Sequence, residues 1–69
     1  MKKSRNQMTM ELMLDSEFDI IHRNKLKFAS YSILCDIYRI WNRPLRPIDV
    51  HVKKLVIQDI LREVRIIRS

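Results

Sequence analysis

Two apolar stripes at helical spacing fill the second half of this chain, running from Leu26 to Trp41 and from Ile48 to Ile67. No glycine occurs anywhere in the 69 residues to interrupt them. Between the stripes lies only Asn42-Arg43-Pro44-Leu45-Arg46-Pro47, which holds both of the prolines. Two long stripes and a short connection predict an antiparallel helical hairpin. Proline forces the first helix to stop before Pro44, because the residue preceding proline is driven out of the helical region. Pro47 suits the first turn of the next helix, where a missing N–H costs nothing.

Within the first stripe, Leu26, Ser30, Ile33, Ile37 and Ile40 form a heptad-like seam, widened by Tyr31, Leu34, Tyr38 and Trp41. Ser30 offers an alternative N-cap, which would leave residues 25–29 as a connection. In the second stripe, Val50, Ile57, Leu61 and Val64 form one row and Val52, Val56, Ile60 and Ile67 a second beside it. Its β-branched residues admit a strand from Asp49 to Ile57, but Lys53-Lys54 and the sustained period favour helix.

Upstream, Met10, Met13, Leu14, Phe18 and Ile21 fall on one helical face behind a Thr9 N-cap, with Asn24 as the end. Alternation at Met10, Leu12 and Leu14 admits a strand, although that pattern stops by residue 16. The expected architecture is therefore all-α, with helices near 9–23, 28–42 and 47–66. Residues 1–8 read as a flexible basic N-terminus and residues 9–69 as a single helical domain.

A chain this short buries only about 60% of the surface its unfolded form exposes, and needs disulfides, a metal, self-association or very regular packing. Cys35 is the only cysteine, and Cys35, His22 and His51 have no zinc-ligand spacing. Self-association remains, and a symmetric homodimer in a helical bundle is expected. Its seam, or a partner's, is placed at Leu34, Ile37, Trp41, Val56, Ile60 and Leu61. No export signal or membrane-spanning run is visible, and one free cysteine fits a cytoplasmic location.

Charge is unevenly spread over the net +6: residues 1–10 carry +3, residues 11–20 carry −4, and the rest carry +7. Glu11, Asp15, Glu17 and Asp19 offer an acidic docking face. Arg39, Arg43, Arg46, Lys53 and Lys54 form a basic patch for nucleic acid or an acidic partner, with Tyr38 and Trp41 as stacking surfaces. Helix 3 begins with Ile48-Asp49-Val50-His51-Val52, poor material for reading base edges. Any DNA binding is expected to be weak and salt-labile.

Catalytic constellations are lacking. Phosphate-binding loops, nucleophile elbows and dinucleotide fingerprints all require glycine. His51 has Lys54 three positions on, as phosphotransfer histidines do, but Leu55 fills the place where such sites carry glycine; an ordinary surface histidine is the simpler reading. His22 reads as a helix-end residue and Cys35 as a small buried hydrophobe. No cofactor, metal or small-molecule substrate is expected, and no membrane partner.

The stretches Ile21-His22-Arg23-Asn24-Lys25-Leu26-Lys27-Phe28, Ser32-Ile33-Leu34-Cys35-Asp36-Ile37 and Lys53-Lys54-Leu55-Val56-Ile57-Gln58-Asp59-Ile60-Leu61-Arg62-Glu63 together resemble a known group. They are similar to the small enterobacterial connector proteins of the AriR/YmgB, YmgA and YcgZ group, over roughly residues 20–64. The likeness lies in the order of a basic-apolar lead-in, a short aliphatic helix, a polar turn and a basic-then-aliphatic helix. It departs at the turn, where this chain has two prolines and several arginines. The resemblance implies an all-helical cytoplasmic dimer that modulates biofilm, acid-stress and phosphorelay output without enzymatic activity. Association with DNA is also implied, and no catalytic residue is carried over. The function expected is a non-enzymatic adaptor for a signalling or transcription protein; the alternative is a small DNA-binding regulator or nucleoid-associated protein.

Overall fold

The computed structural model describes residues 2–44 and 49–66. Every regular element among them is helical: α1 spans Arg5–Leu14, a 3₁₀ segment Arg23–Phe28, α2 Tyr31–Asn42 and α3 Asp49–Arg62. Both segments with a possible strand reading are helix.

The first helix starts earlier and ends sooner than its periodicity suggests. Ser4, not Thr9, is the N-cap, its hydroxyl accepting from the Gln7 N–H at 3.2 Å. Thr9 lies inside the helix and donates back to the Arg5 carbonyl at 2.9 Å. Asp15 ends the helix: its Oδ1 accepts from the Glu17 N–H at 2.9 Å, and its carbonyl accepts from Phe18 N–H at 3.0 Å. That side-chain turn competes with continued helix, which is why the apolar run past residue 15 does not stay helical. Met8 and Leu12 face inward, while Met10, Leu14 and Ile21, expected on the buried face, are exposed. Phe18 and Ile20 are buried from irregular backbone, and Asn24 lies within the 3₁₀ segment.

Ser30 caps α2, accepting from Ile33 N–H at 3.2 Å, so residues 25–29 form the connection that the alternative start required. The buried centre of α2 is Leu34, Ile37 and Trp41, with Ile33 and Ile40 at its edges. Of the expected seam Leu26 and Ile37 are fully buried and Ile33 and Ile40 half-buried, the burial centring on the flanking Leu34 and Trp41, while Ser30 is the cap. In α3 the inward face is Lys53, Ile57 and Leu61, continued by Val64, with Val50 half-buried. This is the first of the two rows read from the sequence, with a lysine in it. Val52 and Val56 of the second row are exposed and Ile60 is half-buried, while Ile67 lies outside the described residues, as do Pro47 and Ile48.

One core joins all four elements. Phe18 meets Trp41 edge-on, with ring centroids 5.1 Å apart. Such a contact adds about 0.5–1.5 kcal/mol beyond its area burial. Leu26 and Ala29 of the connection close the same core.

Candidate interaction surfaces

Lys53 is the residue whose position most alters the sequence reading. It is 9% exposed, in phase with Ile57 and Leu61 on the inner face of α3. Its Nζ donates to the Trp41 carbonyl at 3.0 Å and the Arg43 carbonyl at 2.5 Å, and lies 5.8 Å from the Trp41 ring centroid. These carbonyls belong to the last turn and C-cap of α2, which have no intrahelical partner and carry the negative end of the helix dipole. An amine threaded to them satisfies both, with its stem packed along apolar neighbours. Lys53 is thereby withdrawn from the basic patch. Arg39 is bound to Asp36 at 3.0 Å on the surface, Arg43 is exposed, Lys54 is half-buried, and Arg46 lies outside the described residues.

The acidic set divides in the same way. Glu11 accepts from Lys3 Nζ at 2.9 Å and from the Tyr38 hydroxyl at 3.0 Å; Lys3 also reaches Tyr38. The Lys3 hydrogen bond, with a smaller one from Tyr38, holds the Glu11 carboxyl below the usual carboxylate range. Hydrogen bonds with Tyr38 and then Glu11 push the Lys3 amine above its ordinary value. Asp15 Oδ2 accepts from Trp41 Nε1 at 2.8 Å. Glu11 and Asp15 are thus structural, and Glu17 and Asp19 remain turned outward.

Those two acids sit on a closed loop. Arg23 donates to the Met13 carbonyl at 3.0 Å, tying together the ends of residues 14–22. Phe18 and Ile20 are buried in the shared core, Phe18 against Trp41, while Leu14 and Ile21 are 78% and 79% exposed. Compact loops with close ends and their own buried side chains commonly carry function. Residues 14–22 thus expose two acids and two large apolar side chains.

A second surface lies between α2 and α3. Asp36, Arg39, Ile40, Arg43 and Ile60 line one hollow of about 560 Å³. Ile40, Arg43, Asp49, Val52, Lys53 and Val56 line its continuation. The shared residues Ile40 and Arg43 make these one groove, with an aliphatic floor and charged walls. Of the expected seam, Leu34, Ile37, Trp41 and Leu61 are buried in the chain's own core, where no partner can reach them. Only Val56 and Ile60 are offered outward.

The remaining suspects are isolated. His51 is exposed on α3, His22 and Cys35 are half-buried, and burial pushes the Tyr31 hydroxyl up, with Cys35 beside it adding to the rise. Among the described residues no group of three or more His, Cys, Asp or Glu side chains could hold a metal ion. None of their helices is long and apolar enough to cross a membrane.

Sequence reasoning missed the ties that run from side chain to carbonyl: Lys53, Arg5 to Leu26 and Lys27, Arg23 to Met13, and Tyr31 to Lys3. Only Lys53 had a visible signal, its phase with Ile57 and Leu61. No protein-family model, curated protein or solved structure matches this chain.

Proposed function

We propose that the protein is a small non-enzymatic adaptor of the cytoplasm that docks on a signalling or transcription protein and biases its output. In this reading α2 and α3 pair as an antiparallel hairpin, and two copies form a dimeric helical bundle. The sequence resemblance to connector proteins suggests biofilm or stress phosphorelay output as the regulated process. The observation that carries the docking role is the 14–22 loop. Here Leu14, the last residue of α1, and Ile21 stand in solvent, and Glu17 and Asp19 of the same stretch are exposed with them. A basic amphipathic segment of a partner fits that chemistry, with apolar contact giving affinity and the acids giving orientation.

The DNA reading loses ground at Lys53, whose amine is committed to α2 carbonyls. Arg39, Arg43 and Lys54 leave a thin footprint for phosphate binding.

A photo-crosslinking residue in place of Ile21, compared with the same residue in place of His51, tests the proposal in cells. The expected result is one discrete protein adduct from position 21, lost when Glu17→Lys and Asp19→Lys are added. Adducts mainly to DNA, or equal labelling from both positions, would reject it.

A further inference from the structure

We infer that Lys2 and Lys3 form a strap latched across α2, which opens locally while the helices stay folded and thereby governs access to the thiol of Cys35.

Tyr31, Cys35 and Tyr38 are spaced four and three residues apart, so they share one face of α2 with Cys35 in the middle. Lys3 is fastened at both ends of that row. Its carbonyl accepts from the Tyr31 hydroxyl at 2.7 Å, while its Nζ reaches the Tyr38 hydroxyl and lies 4.9 Å from the Tyr38 ring centroid. A residue held at Tyr31 by its backbone and at Tyr38 by its side-chain tip spans the position between them, which is that of Cys35. Lys2, Lys3 and Cys35 accordingly line one hollow. The thiol also lies close enough to the Tyr31 hydroxyl to push it up, after the larger effect of burial. Clasp and thiol therefore meet at one place.

The strap is built to let go before the core does. Ahead of the Ser4 cap, Lys2 and Lys3 bring no apolar side chain to bury. Besides the two tyrosines, the fastening is the Lys3–Glu11 pair at 2.9 Å, whose side chains are 40% and 43% exposed. Exposed ties of this kind are individually weak and are screened by salt. Ser4 keeps its bonds to the Gln7 and Met8 N–H groups whether or not the strap is seated, so α1 need not unwind. Beneath the strap, Met8, Leu34 and Ile37 belong to the shared core and stay packed. Segments with few apolar contacts open at far lower free energy than such a core. Cys35 is half-buried and is the only thiol of the chain, so its reaction rate reports the strap's position.

Alkylation by iodoacetamide, an uncharged reagent, followed by intact mass on the full chain, tests this. The folded wild type should react more slowly than the urea-unfolded chain. Tyr31→Phe removes the carbonyl tie and Lys3→Met the amine ties, and each should react about two- to tenfold faster than wild type. High salt should accelerate wild type and leave Lys3→Met unchanged. The sign at Lys3 is decisive: taking a cation away from a thiol lowers its thiolate fraction, so a merely electrostatic role would slow the reaction. Below the unfolding transition the wild-type rate should rise only gently with urea, because strap opening exposes little surface. Far-ultraviolet circular dichroism verifies each fold, and should Tyr31→Phe not fold, Lys3→Met still decides. Variants that react at the wild-type rate or slower would overturn the strap. So would a folded wild type as reactive as the unfolded chain, or a rate that climbs with urea as steeply as global unfolding.

Discussion

Residues 2–30 and the α2–α3 pair reach burial by different routes. In α2 and α3 the buried side chains recur every three or four residues, and one inward lysine supplies the polar tie between them. Before Ser30, Met8 and Leu12 keep the helical spacing of α1, while Phe18 and Ile20 enter the core from irregular backbone. Long side chains donate to carbonyls at the ends of these short elements: Arg5 to Leu26 and Lys27, and Arg23 to Met13. A regular helix satisfies its own backbone except at its ends, where Ser30 and Lys53 serve α2. An irregular segment must recruit specific side chains for backbone bonding and for packing, which makes it dependent on a few residues.

The sharpest way to break that comparison is Phe18→Ala. Emptying a fully buried phenylalanine site costs about 3–5 kcal/mol, a large part of the stability of any small domain. Because Phe18 packs edge-on against Trp41, the loss should appear as one cooperative shift of the whole denaturant curve. Amide exchange at Ile57 should accelerate along with that at Leu12. If Leu12 alone were freed, the two regions would be separate units and the shared core around Trp41 would not couple them.

Next in size is Lys53→Met, which keeps an apolar stem of similar length and removes the amine. The Trp41 and Arg43 carbonyls lose a donor at the end of α2, at about 1–3 kcal/mol. Lys54→Met, on the neighbouring half-buried position, should change stability by less than about 0.5 kcal/mol. A urea titration of both variants separates an inward capping lysine from a surface charge. Equal effects would mean that Lys53 adds only to net charge. The same pair bears on nucleic-acid binding: a charge reversal at Lys53 would damage the fold, so loss of DNA binding in that variant would carry no weight.

Asp15→Ala is the counterpart in the N-terminal region. It removes both the turn that stops α1 and the acceptor for Trp41 Nε1, and should cost about 1–2 kcal/mol. The Trp41 emission maximum reports it directly, since the indole loses its carboxylate partner. A stability loss with unchanged emission would place the effect in the turn alone.

These residues also mark how far the fold could be read from the chain. The helices α2 and α3 were legible because proline lies between them in the sequence and spacing set their faces; Ile33 and Ile40 lie at the edge of the buried face and not at its centre. Capping was legible at Ser30, where polar and apolar segments meet. The run Met10 to Ile21 misled because Asp15 stops the helix with a local bond that periodicity does not register, so Phe18 and Ile20 entered the core from a loop. Of the acidic set, Glu17 and Asp19 could be placed on a surface, but the structural use of Glu11 and Asp15 depends on Lys3 and Trp41, distant in sequence. Lys53 was hidden by its type: lysine in a buried phase is rare enough that the surface reading always comes first.

The smallest expected effect concerns the tie between Lys3, Glu11 and Tyr38, the contact that pins the N-terminus to α2. Glu11 has its carboxyl lowered by the Lys3 hydrogen bond, so its contribution is complete above the usual carboxylate range and fades as pH falls through the depressed value. Lys3 is raised, so its share is complete below the usual lysine range and fades only as pH rises through the elevated value. The tie is therefore flat through neutral pH and weakens at both extremes. Its groups are solvent-exposed, which makes the gain small and sensitive to salt. Glu11→Gln should lower the urea midpoint slightly at neutral pH and flatten its decline on acidification. Added salt should shrink the difference between variant and wild type. A difference unchanged by salt and by acid would mean that the N-terminus is held by Met8 packing and the Tyr31 bond to the Lys3 carbonyl alone, and that the charged tie is incidental to it.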